Sequence, residues 1–560
     1  MRARFSSIAA ALLLASCAGA PPAQHDATDA ETDATVDVSM PNDTPVICPP
    51  DRPTRCLGEC VGDTDTNPLR CGAACLACPT DPRGTSRCAS GTCTLECDPG
   101  FVRDANTCVP EPGPRPVRPL ANARVSMRAP LLRWTSPPEI TTVRIAICRD
   151  RACTQVEHEF DATGASARVP APLAPGVWFW NLRAVEGGMP RAHRSATWSF
   201  RTPAADGAVE WSVADRFDFD GDGTDDLLLD CYQPMPGRTV IYRGNARGEL
   251  QPVIVWNDLA RAIGDVDGDG FTDLQARGGL DSEILLGGPD MAMIRVLQRF
   301  EPADTHGGLA GLGEYDTAIG DVDRDGYADT VLEERTRGRL GYGSTRGWAL
   351  PMTDLGVDVD SVAFDLDADD YDDVLAGGPL WWRGSATRPI APVVFAMKNS
   401  MSVIPVGDLD GDGYLDAAEF DADHIALIRG SASGPVVGEA RPLAIDGQRS
   451  FVGRYGDFDG DGRDDLVFRI VGVPVTQPYI VFLGGADGYA ADRTVAPTSF
   501  PCSPRMLWGV RTIGDFDADG LVDRFVACDD ERLFVQLSRT VDGAWTEVPL
   551  PEGVIGCLAN

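Results

Sequence analysis

The chain has 560 residues, 17 cysteines and a formal net charge of −35 at pH 7. A surface this acidic repels phosphate groups, so we expect no nucleic acid among its partners. The length exceeds that of a typical single domain, and the number of cysteines favours an exported protein with several domains.

Residues 1–17 have the composition of a bacterial secretion signal. Arg2 and Arg4 precede an apolar stretch from Ile8 to Ala15, which is too short to span a bilayer as a helix. The ending Leu-Ala-Ser-Cys17 resembles a bacterial lipobox, and this resemblance implies that Cys17 is lipidated and becomes the first residue of the mature protein. No Asp follows it, which by the same resemblance indicates the outer membrane or cell surface. An ordinary cleaved signal with an incidental cysteine is the alternative.

A polar tether and a cysteine-rich module come next. Residues 18–47 are rich in Pro, Ala, Asp and Thr, so we expect them to bury no core. Residues 48–110 contain ten cysteines: Cys48, Cys56, Cys60, Cys71, Cys75, Cys78, Cys88, Cys93, Cys97 and Cys108. This density predicts a disulfide scaffold and is similar to short EGF-like modules of bacterial surface lipoproteins. A zinc site at Cys75-x-x-Cys78 is the alternative, although no histidine lies nearby.

Residues 112–203 have the pattern of a small β-sandwich. Short apolar segments at 131–134, 143–147, 177–180 and 197–200 alternate with turn residues, which predicts strands. The tryptophan near the start of the domain, Trp134, and the Trp-Phe-Trp segment at 178–180 are similar to those of a fibronectin type III module. Cys148 and Cys153 flank four residues and could close a hairpin. We expect this domain to act as a spacer.

Seven copies of one acidic pattern dominate residues 206–560. The pattern is Asp-x-Asp-x-Asp-Gly-x-x-Asp, and successive copies start 47, 56, 44, 43, 49 and 58 residues apart. A period near fifty residues is typical of repeat folds. The acids at positions 1, 3, 5 and 9 are Asp218, Asp220, Asp222 and Asp226; Asp265, Asp267, Asp269 and Asp273; Asp321, Asp323, Asp325 and Asp329; Asp365, Asp367, Asp369 and Asp373; Asp408, Asp410, Asp412 and Asp416; Asp457, Asp459, Asp461 and Asp465; and Asp515, Asp517, Asp519 and Asp523.

These acids are the predicted ligands of up to seven structural Ca²⁺ ions. When such a loop curls, its four carboxylates converge and the carbonyl of position 7 can join them, and hard oxygen ligands of this kind suit Ca²⁺. Glycine at position 6 permits the positive φ that a tight turn needs. The fourth copy has Asp370 at position 6, so we expect its site to be the weakest. Acidic surface turns without metal are the alternative.

An EF-hand is the nearest competing metal loop, because it begins with the same spacing. It also requires an acid at position 12 and a helix on each side. Position 12 is apolar in six copies and acidic only at Glu419. Short apolar runs such as 227–229 and 466–468 follow the loops, which predicts strands. We therefore expect each loop to lie inside a β-hairpin.

Further apolar segments recur between the loops and end in glycine turns, at 240–244, 284–288, 380–384, 425–430 and 480–485. They indicate about four strands per repeat, and four-stranded units repeated radially form β-propeller blades. The loops and segments resemble the FG-GAP or VCBS repeats of bacterial proteins and integrin α-chains. Over roughly 206–560, this resemblance implies an all-β, seven-bladed β-propeller with calcium-binding hairpin loops. In this family the loops bind calcium on one face.

Closure of such a ring involves the two ends of the repeat region. The segment 211–217 could supply a strand to the last blade. Cys231, Cys502, Cys528 and Cys557 cluster near the two ends and predict two disulfides. Cys231 with Cys557, and Cys502 with Cys528, is one possible pairing, which the sequence does not decide.

No catalytic motif accompanies the loops. The chain has no Gly-x-Ser-x-Gly, His-Glu-x-x-His or phosphate-loop pattern, and only His306 and His424 lie in the repeat region. We therefore expect a non-enzymatic, calcium-binding, membrane-anchored lipoprotein that mediates adhesion, or binds a macromolecule or glycan, through propeller loops. A carbohydrate-active lyase or glycosidase that uses carboxylates in a propeller channel is one alternative. A purely structural envelope protein is the other.

Overall fold

The structure is a computed structural model, and the assigned elements of the part it describes are all strands. It describes residues 48, 50, 54–56, 59–61, 66–72, 76–98, 101–231, 237–257, 259–278, 281–290, 295–300, 318–334, 337–356, 361–376, 380–388, 390–394, 402–420, 424–442, 453–458, 461, 463–469, 479–485, 488, 494–495, 501–502, 513–528, 530, 532–537 and 544–551. Within these ranges no helix has the length and apolar character needed to cross a membrane. The predicted all-β class is therefore confirmed.

The chain divides into two compact units, Met1–Asp63 and Thr64–Asn560. In the first unit, β1 (Thr54–Cys56) and β2 (Glu59–Val61) form an antiparallel hairpin. The predicted signal and tether lie outside the described residues, and so does the predicted lipidation site Cys17.

Disulfides hold the part of the cysteine-rich module that belongs to the second unit. It contains two hairpins, β3 (Gly84–Ala89) with β4 (Thr92–Cys97) and β5 (Phe101–Asp104) with β6 (Thr107–Pro110). Its bonds join Cys71 to Cys88, Cys78 to Cys93 and Cys97 to Cys108. The predicted disulfide scaffold is confirmed here. Because Cys78 is bonded to Cys93, it cannot serve as a zinc thiolate.

A sandwich of two sheets follows and is called the sandwich below. Its strands are β7 (Arg115–Arg118), β8 (Ala123–Val125), β9 (Leu131–Thr135), β10 (Thr142–Cys148), β11 (Val156–Thr163), β12 (Ser166–Arg168), β13 (Gly176–Glu186), β14 (Met189–Pro190), β15 (Trp198–Thr202) and β16 (Ser212–Val213). One sheet has the order β12-β9-β7, and the other has the order β11-β10-β13-β15-β8-β16 with β14 beside β13. Trp178, Trp180 and Trp198 are fully buried between the sheets. The predicted disulfide between Cys148 and Cys153 is confirmed.

Seven small antiparallel sheets make up the rest of the chain and are called repeat sheets 1 to 7. In order they contain β17 (Leu227–Cys231), β18 (Arg238–Arg243) and β19 (Gln251–Trp256); β20 (Ala260–Gly264), β21 (Asp273–Gly278), β22 (Asp281–Leu286) and β23 (Arg295–Phe300); β24 (Ala318–Gly320), β25 (Asp329–Glu334), β26 (Arg337–Gly341) and β27 (Thr353–Asp354); β28 (Ser361–Phe364), β29 (Asp373–Ala376), β30 (Leu380–Trp382) and β31 (Pro392–Val394); β32 (Ser402–Gly407), β33 (Asp416–Phe420), β34 (His424–Arg429), β35 (Val436–Val437) and β36 (Arg441–Pro442); β37 (Gly453–Gly456), β38 (Asp465–Arg469), β39 (Tyr479–Phe482) and β40 (Thr494–Val495); and β41 (Ile513–Gly514), β42 (Asp523–Ala527), β43 (Leu533–Gln536) and β44 (Thr546–Val548).

The acidic loops, called loops 1 to 7, are residues 218–226, 265–273, 321–329, 365–373, 408–416, 457–465 and 515–523. In sheets 2 to 7 each loop joins the first two strands, and the residue before the loop pairs with its last aspartate, as Gly264 pairs with Asp273 and Gly514 with Asp523. The predicted hairpins are confirmed at these six loops. In sheet 1 no strand is assigned before the loop. Strands on both sides rule out an EF-hand.

Each repeat sheet packs its apolar side chains against the next sheet. Leu274 and Leu285 of sheet 2, for example, are buried against Phe219 and Ile241 of the first repeat, and equivalent clusters join the following pairs in chain order. Sheet 7 packs in turn against sheet 1, in a cluster that includes Phe525 and Tyr242. Two hydrogen bonds span the same contact: Asp225 N donates to Asp515 O at 3.0 Å, and Asp515 N donates to Asp225 Oδ2 at 2.9 Å.

The ends of the repeat region show where segment 211–217 pairs and how two of the four cysteines are bonded. Within 211–217 the assigned strand, Ser212–Val213, pairs with Ala123–Val125 of the sandwich, so the prediction that this segment completes the last sheet is wrong. Its backbone groups pair instead with β8 at the edge of the larger sheet of the sandwich. Cys502 is bonded to Cys528, as one of the pairings had it. Cys557 lies outside the described residues.

Candidate metal centres

Loop 1 shows how the acidic pattern folds. Asp218 at position 1 accepts hydrogen bonds from the backbone of two residues further along, Asp222 N at 3.1 Å and Gly223 N at 3.0 Å. Asp222 in turn accepts one from Thr224 N at 2.9 Å. The first carboxylate therefore curls the backbone around itself, which turns the other carboxylates towards it. Loops 2, 3, 4 and 7 repeat both bonds to position 1, and loop 5 shows the second.

The aspartate at position 9 fastens each loop to the sheet. In loop 3, Asp329 accepts hydrogen bonds from Val322 N at 2.9 Å and from Gly343 N at 2.8 Å. The first bond closes the loop, and the second holds the glycine turn that follows strand Arg337–Gly341. The bond to position 2 recurs in all seven loops. Position 9 is thus a structural clamp in addition to a candidate ligand.

Two positions of the loop adopt the left-handed backbone conformation. Position 6 does so as predicted, with φ of 96° at Gly223, and Asp370 also does so in loop 4 with φ of 74°. Position 4 does so too, for example with φ of 71° at Gly221 and 57° at Ala368. Sequence reasoning missed position 4, although glycine occupies it in four of the seven copies, at Gly221, Gly268, Gly411 and Gly460.

The carboxylates of the loops converge as predicted. Ligand oxygens lie within 4.8 Å of one another in the groups Asp218, Asp220 and Asp226; Asp265, Asp267 and Asp269; Asp321, Asp323 and Asp325; and Asp365, Asp367 and Asp373. Positions 1, 3 and 9 are largely buried, whereas position 5 is nearer the solvent. Of the 28 predicted ligands, Asp459 lies outside the described residues.

Several buried oxygens of these clusters have no hydrogen-bond donor. They include Oδ1 of Asp267, Asp323 and Asp367, all at position 3, and Oδ1 of Asp408 at position 1. A buried carboxylate oxygen without a partner is costly, because it has lost water and gained nothing in return. A hard divalent cation in the middle of the cluster would satisfy it, and Ca²⁺ is the ion that takes several carboxylates in flexible geometry. The donor set therefore fits Ca²⁺.

Burial has a second consequence, which is seen in the acidity of these groups. Burial above all, and to a lesser extent the neighbouring carboxylates, raise the pKa of Asp218 to about 7 and the pKa values of Asp265 and Asp373 to about 8. They also raise the pKa of Asp329 well above its usual value. Removal of water and mutual repulsion disfavour the charged forms. These acids need a positive charge to be ionised together at neutral pH.

These shifts predict how the stability of the calcium-free protein depends on pH. In the unfolded chain the same acids have pKa values of about 3.9, so between pH 4 and 8 the folded state holds protons that the unfolded state has released. Stability is then greatest at the acidic end and falls as pH rises towards 8. We expect the Tm in calcium-free buffer to decrease from pH 5 to pH 8, and saturating calcium to abolish this decrease. A calcium-free Tm that rises with pH would contradict the assignment.

Arginines lie against the outer oxygens of positions 3 and 5. In sheets 1, 4 and 5 the arginine lies at or just after the end of the second strand beyond the loop, which is β18, β30 or β34. Arg243, for example, pairs with Asp220 at 2.5 Å and with Asp222 at 2.9 Å. Arg383 pairs in the same way with Asp367 and Asp369 of loop 4, and Arg429 pairs with Asp410 of loop 5. Arg388 forms ion pairs with positions 3 and 5 of loop 3, and Arg83 of the cysteine-rich module forms them with positions 3 and 5 of loop 2. Each pairing offsets part of the charge of its loop.

Loop 4 remains the loop in which we expect the weakest calcium binding. Asp370 N keeps the hydrogen bond to Asp365 at 2.8 Å that glycine makes elsewhere, so the loop closes. It does so with two residues other than glycine, Ala368 and Asp370, at positive φ, which costs on the order of 1 kcal/mol each. Asp365→Ala should therefore remove less bound calcium than Asp457→Ala at sub-saturating calcium. Equal losses in a metal titration of the two variants would refute this ranking.

Other candidate residues show no comparable grouping in the described part of the chain. His424 is exposed at the start of its strand, and His306 lies outside the described residues. The cysteine cluster at Cys71, Cys78 and Cys93 consists of disulfide-bonded sulfurs. The aspartate loops are thus the candidate functional site.

Comparisons with known proteins find distant likenesses. A lectin of Agrocybe aegerita that recognises non-reducing terminal N-acetylglucosamine is 15% identical, with a TM-score of 0.42 over 58% of this chain and 89% of its own. The exotype rhamnogalacturonan lyase YesX is 12% identical, with a TM-score of 0.30 over 79% of this chain and 84% of its own. The rhamnogalacturonan lyase YesW is 11% identical, with a TM-score of 0.31 over 79% and 94%. No protein-family model and no curated protein matches the chain.

Proposed function

We propose that the seven loops are structural calcium sites, each holding one Ca²⁺. The observation that supports this most strongly is the set of buried position-3 oxygens without a donor, each within a cluster of carboxylates. When bound, Ca²⁺ supplies the positive charge that lets these acids ionise together. The chain supplies the geometry: position 1 curls the loop, position 9 fastens it, and positions 3 and 5 complete the ligand set.

We also propose that the seven repeat sheets form a closed, seven-bladed β-propeller. Successive sheets pack in chain order, and the seventh packs against the first. Backbone hydrogen bonds join neighbouring loops, such as Thr272 N to Asp218 O at 3.1 Å and Ala328 N to Asp265 O at 3.0 Å. Because the loops themselves form these contacts, a loop that lost its shape would loosen the junction between two blades.

The biological role we propose is that of an exported, lipid-anchored module of the FG-GAP/VCBS type, similar to integrin α-chains, whose propeller binds a macromolecule or a glycan. The lipobox-like sequence ending at Cys17 and the disulfides support export. The calcium loops contact the sandwich and the cysteine-rich module, as shown by Arg151 and Arg83. We therefore place the partner surface on the propeller away from these loops.

Metal analysis tests the calcium assignment directly. We expect the purified protein, dialysed to equilibrium against several millimolar calcium, to bind close to seven calcium ions per chain, counted as the excess of calcium inside the dialysis membrane over the calcium outside. Millimolar calcium is appropriate because extracellular calcium modules can have Kd values of about 10⁻⁴–10⁻³ M. Asp161→Ala, which removes an exposed acid of the sandwich, is the matched control and should leave the count unchanged. A chain that holds no calcium under these conditions would overturn the proposal.

A second experiment tests the proposed role. The full chain is applied to an array of glycans and envelope proteins with and without calcium, and it is incubated in parallel with polysaccharides. We expect calcium-dependent binding on the array and no released oligosaccharide. Release of products would indicate a carbohydrate-active enzyme instead, and absence of both signals would favour a purely structural envelope protein.

A further inference from the structure

The sandwich contacts every one of the seven loops, although the chain reaches them over separations of up to several hundred residues. Arg151 contacts loops 1 and 2, Arg115 contacts loop 3, Arg118 contacts loop 4, Val209 contacts loop 5, Arg124 contacts loop 6, and Arg201 contacts loop 7. The sandwich therefore does not act as a spacer, and that expectation is wrong.

Arg151 joins two adjacent loops through their backbones. Its Nε donates to Gly221 O of loop 1 at 2.9 Å, and its Nη2 donates to Gly270 O of loop 2. Its Nη1 donates to Thr197 O of the sandwich at 2.6 Å, and its guanidinium lies 3.8 Å from the centre of the Phe271 ring. All three donor groups are thus engaged, and the two loop carbonyls belong to positions 4 and 6, where the backbone is left-handed.

A disulfide supports the turn that presents Arg151. Cys148 and Cys153 are bonded across the turn of four residues, and both are buried. Within the same turn, Asp150 accepts hydrogen bonds from Thr154 N at 3.1 Å and Gln155 N at 2.7 Å. The turn is therefore constrained on both sides of the arginine, which keeps the side chain ready to reach the loops.

Arg115 makes the same kind of contact with loop 3. Its Nη1 donates to Gly326 O at 3.1 Å, its Nη2 donates to Asp325 O, and its guanidinium lies 4.1 Å from the centre of the Tyr327 ring. In both cases an arginine of the sandwich covers the aromatic residue at position 7 and holds the carbonyl of position 6. The same contact is thus made by an arginine in a turn and by one in a strand, which indicates one recognition mode.

The glycines of the loops permit this close approach. A Cβ atom at Gly270 would lie 2.3 Å from Thr197 O, and one at Gly413 would lie 2.5 Å from Val209 N. Both distances are shorter than any real contact of a Cβ atom, so the backbone of the sandwich rests directly on the loops. At loops 2 and 5, glycine at position 6 is therefore required by the contact with the sandwich in addition to the loop turn.

We propose that Arg151 and Arg115 of the sandwich are positioning residues of the calcium loops, so that docking of the sandwich and calcium binding strengthen each other. This inference rests on the proposed calcium sites. Each guanidinium group holds loop carbonyls in the positions that they have in the curled loop. It therefore stabilises the curled form, in which the carboxylates lie close together. Coupling of this kind is reciprocal. If docking of the sandwich raises the affinity of the loops for calcium, bound calcium stabilises the docked sandwich by the same free energy.

A competing effect has the opposite sign. A guanidinium near a cation site repels the cation, so the charge of the arginine alone would weaken calcium binding. Replacement by lysine separates the two effects, because lysine keeps the positive charge but cannot hold two carbonyls in the planar geometry of the fork. Arg151→Lys is therefore the decisive variant.

The experiment measures calcium affinity loop by loop in the full chain. Hydrogen–deuterium exchange of loop peptides is followed across a calcium titration for the natural sequence, for Arg151→Lys and for Arg144→Lys. Arg144 makes an equivalent two-pronged contact with Asp161 on the exposed side of the sandwich, at 2.7 and 3.0 Å, and is the matched control. We expect Arg151→Lys to weaken calcium binding at loops 1 and 2 by roughly tenfold, with loop 5 unchanged. The control should change none of the loops.

Two further variants guard against a general folding defect. Arg115→Lys should shift the effect to loop 3, and the double change Cys148→Ser with Cys153→Ser should reproduce the effect of Arg151→Lys at loops 1 and 2. Equal affinities in Arg151→Lys and the natural sequence would overturn this inference and leave the calcium sites intact. If the natural sequence itself shows no calcium-dependent protection, the calcium assignment fails.

Discussion

Removal of calcium is expected to lower the Tm of the protein by roughly 10 °C or more. A calcium ion that binds only the folded state adds about 2.7 kcal/mol to the free energy of unfolding when calcium is in hundredfold excess over the Kd of its site. Two occupied loops therefore contribute about 5 kcal/mol, and each kcal/mol shifts the Tm of a large domain by roughly 2 °C. The loops also form the junctions between neighbouring sheets, as the hydrogen bond from Ala328 N to Asp265 O shows, so their loss is not local.

The measurement is a thermal melt in excess EDTA compared with one in calcium at about a hundredfold excess over the Kd found by titration. Adding calcium back should restore the higher Tm, whereas magnesium should restore little, because Mg²⁺ demands a compact octahedral site at about 2.0–2.1 Å. An unchanged melt in EDTA, with calcium shown to be absent, would contradict a stabilising role of the metal.

The sequence predicts the local structure of the loops well, because the determinants are close together in the chain. Position 1 reaches backbone groups only four and five residues away, and position 9 reaches position 2. The hairpin register follows from the same spacing. Position 4 was missed because three copies have Arg324, Ala368 or Ala518 there, and these residues adopt φ values of 57° or 58° under the constraint of the closed loop. A preference for glycine in the remaining copies was the available signal.

The contacts of the sandwich could not be predicted in this way. Arg151 meets carbonyls 70 and 119 residues away in the chain, and no periodicity marks it among the 49 basic residues. The pairing of Ser212–Val213 with the sandwich was unpredictable for the same reason, since a short strand can pair with any open sheet edge. Such choices depend on which edge the packing of larger elements leaves accessible. Pattern and spacing determine the site, whereas its surroundings are determined by tertiary packing.

Substitution of the clamp residue Asp329 is expected to destabilise the protein whether or not calcium is present. Asp329→Ala removes the acceptor of two buried hydrogen bonds, from Val322 N at 2.9 Å and Gly343 N at 2.8 Å. Leaving each donor without a partner costs about 1–3 kcal/mol. We expect a loss of roughly 3 kcal/mol in the free energy of unfolding in EDTA. The loss should be larger in calcium, because Asp329 is also a candidate ligand, and urea denaturation measures both.

Asp323→Ala in the same loop is the matched comparison. Asp323 accepts no hydrogen bond at its buried Oδ1, and its other oxygen pairs with the partly exposed Arg388. Its removal relieves repulsion among the carboxylates while it breaks a pair worth about 0–1 kcal/mol, so the calcium-free protein should change little. In calcium the variant should lose about 2.7 kcal/mol, the contribution of one site at a hundredfold excess. If Asp323→Ala were as destabilising in EDTA as in calcium, position 3 would be another structural clamp, and the division of labour within the loop would be wrong.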